Sequence, residues 1–170
     1  MIGGNLKILL AKKVGNLLIS QNLHLVTAES CTGGLLSNII TDIPGSSEYF
    51  IGGVSTYSYE AKEKILGVDH ETLVKFGAVS EETVKEMAIG VRKAFSGSVP
   101  FDQIIGVSVS GIAGPGGGMP GKPVGLVWFG LSTPFETIAI KHIWNGTRIK
   151  NKKSSAIFAL QLIESFLEKS

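Results

Sequence analysis

Two continuous apolar runs, Ile104 to Val109 and Val124 to Leu131, constrain this chain more than any other feature. Neither alternates between apolar and polar residues, so each reads as a central strand buried on both faces. Elements of both kinds alternate along the rest of the chain. Apolar residues at 6, 10, 14, 17 and 18 predict a helix over Leu6 to Ile19, and Leu23 to Val26 predicts a strand. Gly34 to Thr41 predicts a helix ended by Ile43-Pro44-Gly45. Tyr49 to Tyr57 reads as a strand through a glycine pair, and Ala61 to Leu66 as a short helix. Ser80 to Phe95 reads as a helix with Ser80 as N-cap and a buried stripe at 84, 87, 88, 91, 94 and 95. Thr137 to Trp144 predicts a strand and residues 154 to 167 a helix with a broad apolar face. Such alternation predicts an α/β fold, a three-layer α/β/α sandwich. Val124 to Leu131 is followed at once by Thr137 to Trp144, which implies a hairpin and hence a mixed β-sheet.

Composition bounds the function. With 170 residues, 44% of them hydrophobic and 18% charged, the chain fills one core, and residues 1–170 read as a single domain. No internal repeat or low-complexity linker divides it. A formal net charge of +2 supplies no whole-molecule field of the kind nucleic-acid binding would use. The single Cys31 excludes an internal disulfide and a multi-cysteine zinc site. His24, His70 and His142 lie far apart, so no metal is expected. The stretch MIGGNLKILLAKK has no apolar core with a cleavage site, and no window reaches the length of a membrane span. The expectation is a cytoplasmic protein without a membrane partner, and Asn145-Gly146-Thr147 is then a chance match to a glycosylation acceptor. A mean hydropathy of +0.28 predicts a buried subunit interface, hence a homo-oligomer.

Three places could carry chemistry. The first is Thr27-Ala28-Glu29-Ser30-Cys31-Thr32-Gly33-Gly34, a strand-to-helix junction dense in hydroxyls and glycines. At a helix start the first amides lack intrahelical partners and the dipole adds positive potential, so a nucleophile there has an oxyanion site beside it. On spacing alone Ser30 also reads as an ordinary N-cap serine. Cys31 is the rival nucleophile, but a lone cysteine is commonly a small buried hydrophobe, and serine is the preferred reading.

The second place runs from Gly52 through Tyr57 to Lys62, a strand entering a helix start. Lys62 is either a solvated helix lysine or, if it points at Ser30, a base whose pKa desolvation lowers. No histidine lies in a comparable polar, glycine-rich junction, which favours a Ser-Lys pair if the chain is a hydrolase.

The third place is Ser110 to Gly118, which matches neither GxGxxG nor a P-loop. It reads either as a surface turn or as a backbone nest for an anion, its five glycines from Gly111 to Gly118 leaving room for a ligand. Arg148, Lys150, Lys152 and Lys153 crowd the start of the last helix, where cations oppose the dipole. A bound phosphate would compensate, and Arg148 is the better candidate because guanidinium binds phosphate in bidentate fashion. The three lysines read equally well as a solvated basic turn.

The segments TAESCTGG, DIPGSSEYFIGGVSTYSYEAK, GAVSEE, VSGIAGPGGG and KPVGLVW together resemble the CinA C-terminal domain family, the nicotinamide-mononucleotide amidohydrolases, over about Leu6 to Phe166. The resemblance implies a three-layer α/β/α domain that hydrolyses the carboxamide of nicotinamide mononucleotide to nicotinate mononucleotide and ammonia without metal or cofactor. Ser30 then matches the nucleophile and Lys62 its base, with Tyr57 in the same motif. Thr32, Gly33 and Gly34 would hold the oxyanion. Ser110, Gly111 and Gly114 would hold the small-molecule nucleotide together with Arg148, which matches the arginine of a Gly-Asp-Arg segment thought to hold the phosphate. The chain departs from the family pattern at Tyr59, where asparagine is usual, and at Thr147, where aspartate is usual. It is similar to the stand-alone form, without the molybdopterin-binding-like domain of many relatives. The alternative is a catalytically silent nucleotide-binding or regulatory module with the same pocket.

Overall fold

The computed structural model describes residues 2–97 and 99–169. Its elements run α1 (Ile2–Ser20), β1 (His24–Glu29), α2 (Leu35–Thr41), β2 (Phe50–Ser55), α3 (Tyr59–Leu66), α4 (His70–Phe76), α5 (Glu81–Ala94), β3 (Ile104–Gly111), β4 (Leu126–Ser132), β5 (Thr137–Ile143) and α6 (Arg148–Leu167). Short 3₁₀ turns at Ser46–Glu48 and Phe101–Gln103 lead into β2 and β3. The sheet order is β2-β1-β3-β4-β5. β1 pairs in parallel with β2 and β3, while β3–β4 and β4–β5 are antiparallel, so the sheet is mixed and the expected hairpin forms.

Helices cover both faces. On one, α1, α2 and α6 bury Val14, Leu18, Leu36, Ile40, Leu160 and Ile163 against Leu25, Val107, Val109, Phe129 and Leu131 of the sheet. On the other, Met87 and Val91 of α5 pack with Leu66, Leu73, Val26 and Ala28. Leu25 and Val26 fall to opposite faces because successive strand side chains alternate. A Cβ at Gly106 would stand 2.3 Å from the carbonyl oxygen of Ala88, and one at Gly130 equally close to that of Val84. Those two glycines let α5 lie directly on β3 and β4. Among the described residues no helix is long and apolar enough to cross a membrane.

Several element bounds differ from those read off the sequence. β1 extends through Thr27, Ala28 and Glu29, because pairing on both sides satisfies the backbone of these residues. α3 starts at Tyr59 behind Ser58, whose hydroxyl accepts the Ala61 N–H. α4, absent from the sequence reading, is seven residues long with one buried position, Leu73, too short to show a period. Asp69 caps it through the Glu71 N–H. Ser80 caps α5 as expected. α6 begins at Arg148, six residues before the expected start at 154, with Thr147 as its N-cap. Its first turns are too polar for an apolar stripe to mark them.

Candidate active site

Strand register brings the site together. Glu29 pairs with Ser55 on one side and Val109 on the other, so the carboxyl ends of β1, β2 and β3 finish in one row. The chain continues that row by one residue: the Ser30 N–H donates to the Val109 carbonyl, and the Thr56 N–H to that of Glu29. Open α/β sheets bind ligands beyond such carboxyl ends.

Lys62 enters from α3. Its Nζ donates to the Ser30 Oγ at 3.0 Å and to the Thr56 carbonyl oxygen at 2.7 Å. It is wholly buried and Ser30 is 8% exposed, the solvated-helix reading of Lys62 thus being excluded. No carboxylate pairs with it among the described residues. Burial therefore drives its pKa from 10.5 down to about 8. At that value a substantial fraction of the amine is neutral in mildly alkaline solution, and a neutral amine accepts a proton. Cys31 beside Ser30 is buried too, and desolvation pushes its thiol up to about 12, which makes it a poor nucleophile.

Ser30 is not a helix cap. α2 begins at Leu35 behind Gly34, and the turn that reaches it needs Gly33 and Gly34 at φ of 63° and 89°. The first α2 amides do not all face outward, as the junction suggested. Leu36 and Ser37 donate their N–H groups to the buried Glu29 carboxylate at 3.1 and 2.8 Å, and the Ser37 hydroxyl adds a third bond at 2.7 Å. Gly33 donates its own N–H to the Ser30 carbonyl. The Thr32 and Gly34 amides, like those of Cys31 and Leu35, donate to no carbonyl among the described residues, so the turn beside Ser30 retains free donors.

Arg148 is the first residue of α6. It donates to the Gly114 carbonyl and to the Tyr57 hydroxyl, each at 2.9 Å, leaving three of its five N–H donors unused. Tyr57 is 64% exposed, and its hydroxyl accepts from the arginine and not from Ser30. The expected substrate contacts Ser110 and Gly111 stand at the carboxyl end of β3, next to Val109, whose carbonyl accepts the Ser30 N–H. Both belong to β3; the Ser110 hydroxyl donates to the Ala78 carbonyl, and the space a Gly111 Cβ would take is filled by Val127 and the Leu126 carbonyl. Tyr59 accepts the Ala78 N–H through its hydroxyl, so the same short segment is held from two directions.

Three groups escaped sequence reasoning. Glu29 organises α2 through contacts seven and eight residues ahead, which no local pattern in its hydroxyl-rich segment marks. The Thr56 carbonyl is backbone, invisible in a residue string. Asn151, 2% exposed, donates to the Ala113 carbonyl and accepts the Gly146 N–H, and its place on α6 lay outside the helix expected there.

Comparison with known proteins extends over the same elements. A model of the CinA C-terminal domain matches residues 8–167. The chain is 48% identical over 150 residues to a CinA-like protein of Desulforapulum autotrophicum, covering 88% of this chain and 34% of that protein. It is 46% identical over 165 residues to one of Chloroherpeton thalassium, covering 95% and 38%. The chain thus spans little more than a third of the length of these relatives. Among solved structures it is similar to a competence-damaged protein (CinA) superfamily protein of Klebsiella pneumoniae, with a TM-score of 0.89 and 32% identity over 96% of this chain and 99% of that one. A competence or damage-inducible protein of Enterobacter asburiae superposes with a TM-score of 0.88 at 37% identity, over 95% and 98%. Likeness of sequence and of backbone both run through the whole sheet and its two helical layers, so this chain belongs to the CinA C-terminal domain family.

Proposed function

We propose that the chain is a serine amidohydrolase that cleaves the carboxamide of nicotinamide mononucleotide, releasing nicotinate mononucleotide and ammonia. The observation that carries this reading is the 3.0 Å contact between a fully buried Lys62 and Ser30, with no carboxylate among the described residues paired to keep the ammonium charged.

In its neutral form Lys62 takes the Ser30 proton as Oγ attacks the amide carbon. Negative charge then develops on the former carbonyl oxygen, where the Thr32 and Gly34 amides can donate to it. The C–N bond breaks as the protonated Lys62 returns its proton to the leaving nitrogen, giving ammonia and an acyl-serine ester. Water, deprotonated by Lys62 in its turn, cleaves the ester and restores Ser30. The Thr56 carbonyl holds the amine in place throughout. Arg148 supports a nucleotide substrate: its unused donors can grip a phosphate remote from the amide, and Gly114 and Tyr57 hold the guanidinium in position to do so.

The purified protein incubated with nicotinamide mononucleotide is expected to release ammonia and nicotinate mononucleotide in equal amounts. Ser30→Ala, still folded by circular dichroism, loses that turnover by several orders of magnitude. A folded wild-type protein that binds the nucleotide and releases no ammonia would instead be the silent binding module.

A further inference from the structure

α5 lies on β3 and β4 and leaves the last residues of β5 bare. Lys141 and Ile143 are both exposed there, Ile143 by 56%, and β5 is a free edge of the sheet. Beside them is a concavity of about 560 Å³ whose apolar lining includes Phe76, Leu126, Trp128 and Ile143. Trp128 is only half-buried, and tryptophan is among the residue types enriched where proteins associate.

Charge around this apolar floor is divided by element. Lys75 of α4, Lys122 of the 112–125 connection and Lys141 of β5 supply three cations, and Glu81 and Glu82 at the head of α5 supply two anions. Lys141 stands over the Trp128 ring at 5.5 Å and Lys75 over that of Phe76 at 4.9 Å, contacts that leave their charge uncompensated. Neither these three lysines nor Glu82 pairs with an opposite charge among the described residues, while Glu81 is held by Lys85 of its own helix. A ligand carrying charge of one sign meets repulsion from one of the two sets. A second copy of the same surface, turned by a two-fold rotation, is complementary to both: its acidic helix head faces the lysines, and its lysines face the acidic head.

We propose that this corner of the sheet is a two-fold interface between two copies of the chain, with Trp128 and Ile143 at its centre and the lysine and glutamate sets exchanged across it. The inference stands apart from the amidohydrolase reading. It nevertheless reaches the candidate active site, because Lys122 donates to the Phe76 carbonyl and the same connection carries Gly114, whose carbonyl holds Arg148. A copy seated on the corner covers that tie.

Sedimentation equilibrium of the wild-type chain is expected to show a reversible dimer of twice the chain mass of 18.0 kDa. Lys141→Glu makes the corner acidic and Glu82→Lys makes it basic. Each should raise the homodimer dissociation constant roughly tenfold or more, since like charges then meet across the axis. An equimolar mixture of the two variants should recover association, because an acidic corner meets a basic one. Hydrogen exchange on the wild type needs no substitution: raising its concentration through the dissociation constant should slow amides in 120–126 and 139–143 and leave α1 and α6 unchanged. A wild type that stays monomeric at every concentration, a dimer that neither charge reversal weakens, variants that do not pair on mixing, or protection gained at α1 and α6 instead would each overturn the interface.

Discussion

Lys62 is a fully buried amine whose Nζ is held by two neutral oxygens. Keeping it charged in that place is costly. The descent of its pKa from 10.5 to about 8 corresponds to about 3 kcal/mol of destabilisation wherever the folded chain holds the proton. The sign follows from linkage. Between about pH 8 and 10.5 the unfolded chain binds more protons at this residue than the folded one, so stability at this residue rises with pH across that window and is lowest below it. Lys62→Met, unable to act as base, should therefore be inactive yet at least as stable as wild type at pH 7, with the gap in thermal midpoint closing as pH rises to 10. A variant that unfolds more readily than wild type at pH 7 would return Lys62 to a structural role. The same titration governs rate: kcat/KM on the amide is expected to rise with pH through about 8 as the amine loses its proton. Cys31→Ser should leave that profile in place, because a thiol pushed up to about 12 contributes no nucleophile across this range.

At the scale of elements, the helices bearing on the site are fixed by contacts that their apolar patterns do not announce. α2 is organised by Glu29 from the preceding strand, three bonds on one buried carboxylate. α3, which carries Lys62, is set by α5 through a glycine. A Cβ on Gly90 would come within 2.0 Å of the Leu66 carbonyl oxygen, and backbone does not move aside cheaply. Gly90→Ala thus sets two effects against each other. Helix propensity favours alanine by about 1 kcal/mol in an exposed helix, but forcing α3 and α5 apart costs about 1–3 kcal/mol. Destabilisation wins, and because α3 moves, the Lys62 to Ser30 distance moves with it. Urea denaturation should show a lower midpoint together with reduced turnover at saturating substrate. A more stable Gly90→Ala would mean that the two helices have room to part without harm.

Across the whole molecule, the first turns of α6 join segments far apart in sequence: Arg148 to Gly114 and Tyr57, Asn151 to Ala113. Asn151→Ala would leave the Ala113 carbonyl and the Gly146 N–H without their partner, at a cost of about 1–3 kcal/mol. The expected result is faster amide exchange in the segment 112–118 and a higher KM for the nucleotide, with the α5 face of the sheet protected as before. Uniform loss of protection would show that α6 does not hold the loop locally. The two apolar runs by themselves determined that the chain builds a sheet covered on both sides, and the brevity of the Leu131 to Thr137 connection determined that the sheet is mixed, because period and loop length are local properties. The TAESCTGG junction likewise marked where chemistry could lie. Only the tertiary structure decided that Lys62 lies on Ser30 across 32 residues, that Glu29 occupies amides the junction seemed to offer, and that Ser110 and Gly111 belong to the sheet. Those outcomes depend on strand register and on which backbone carbonyl faces which side chain, quantities set by packing between distant segments and absent from any local pattern.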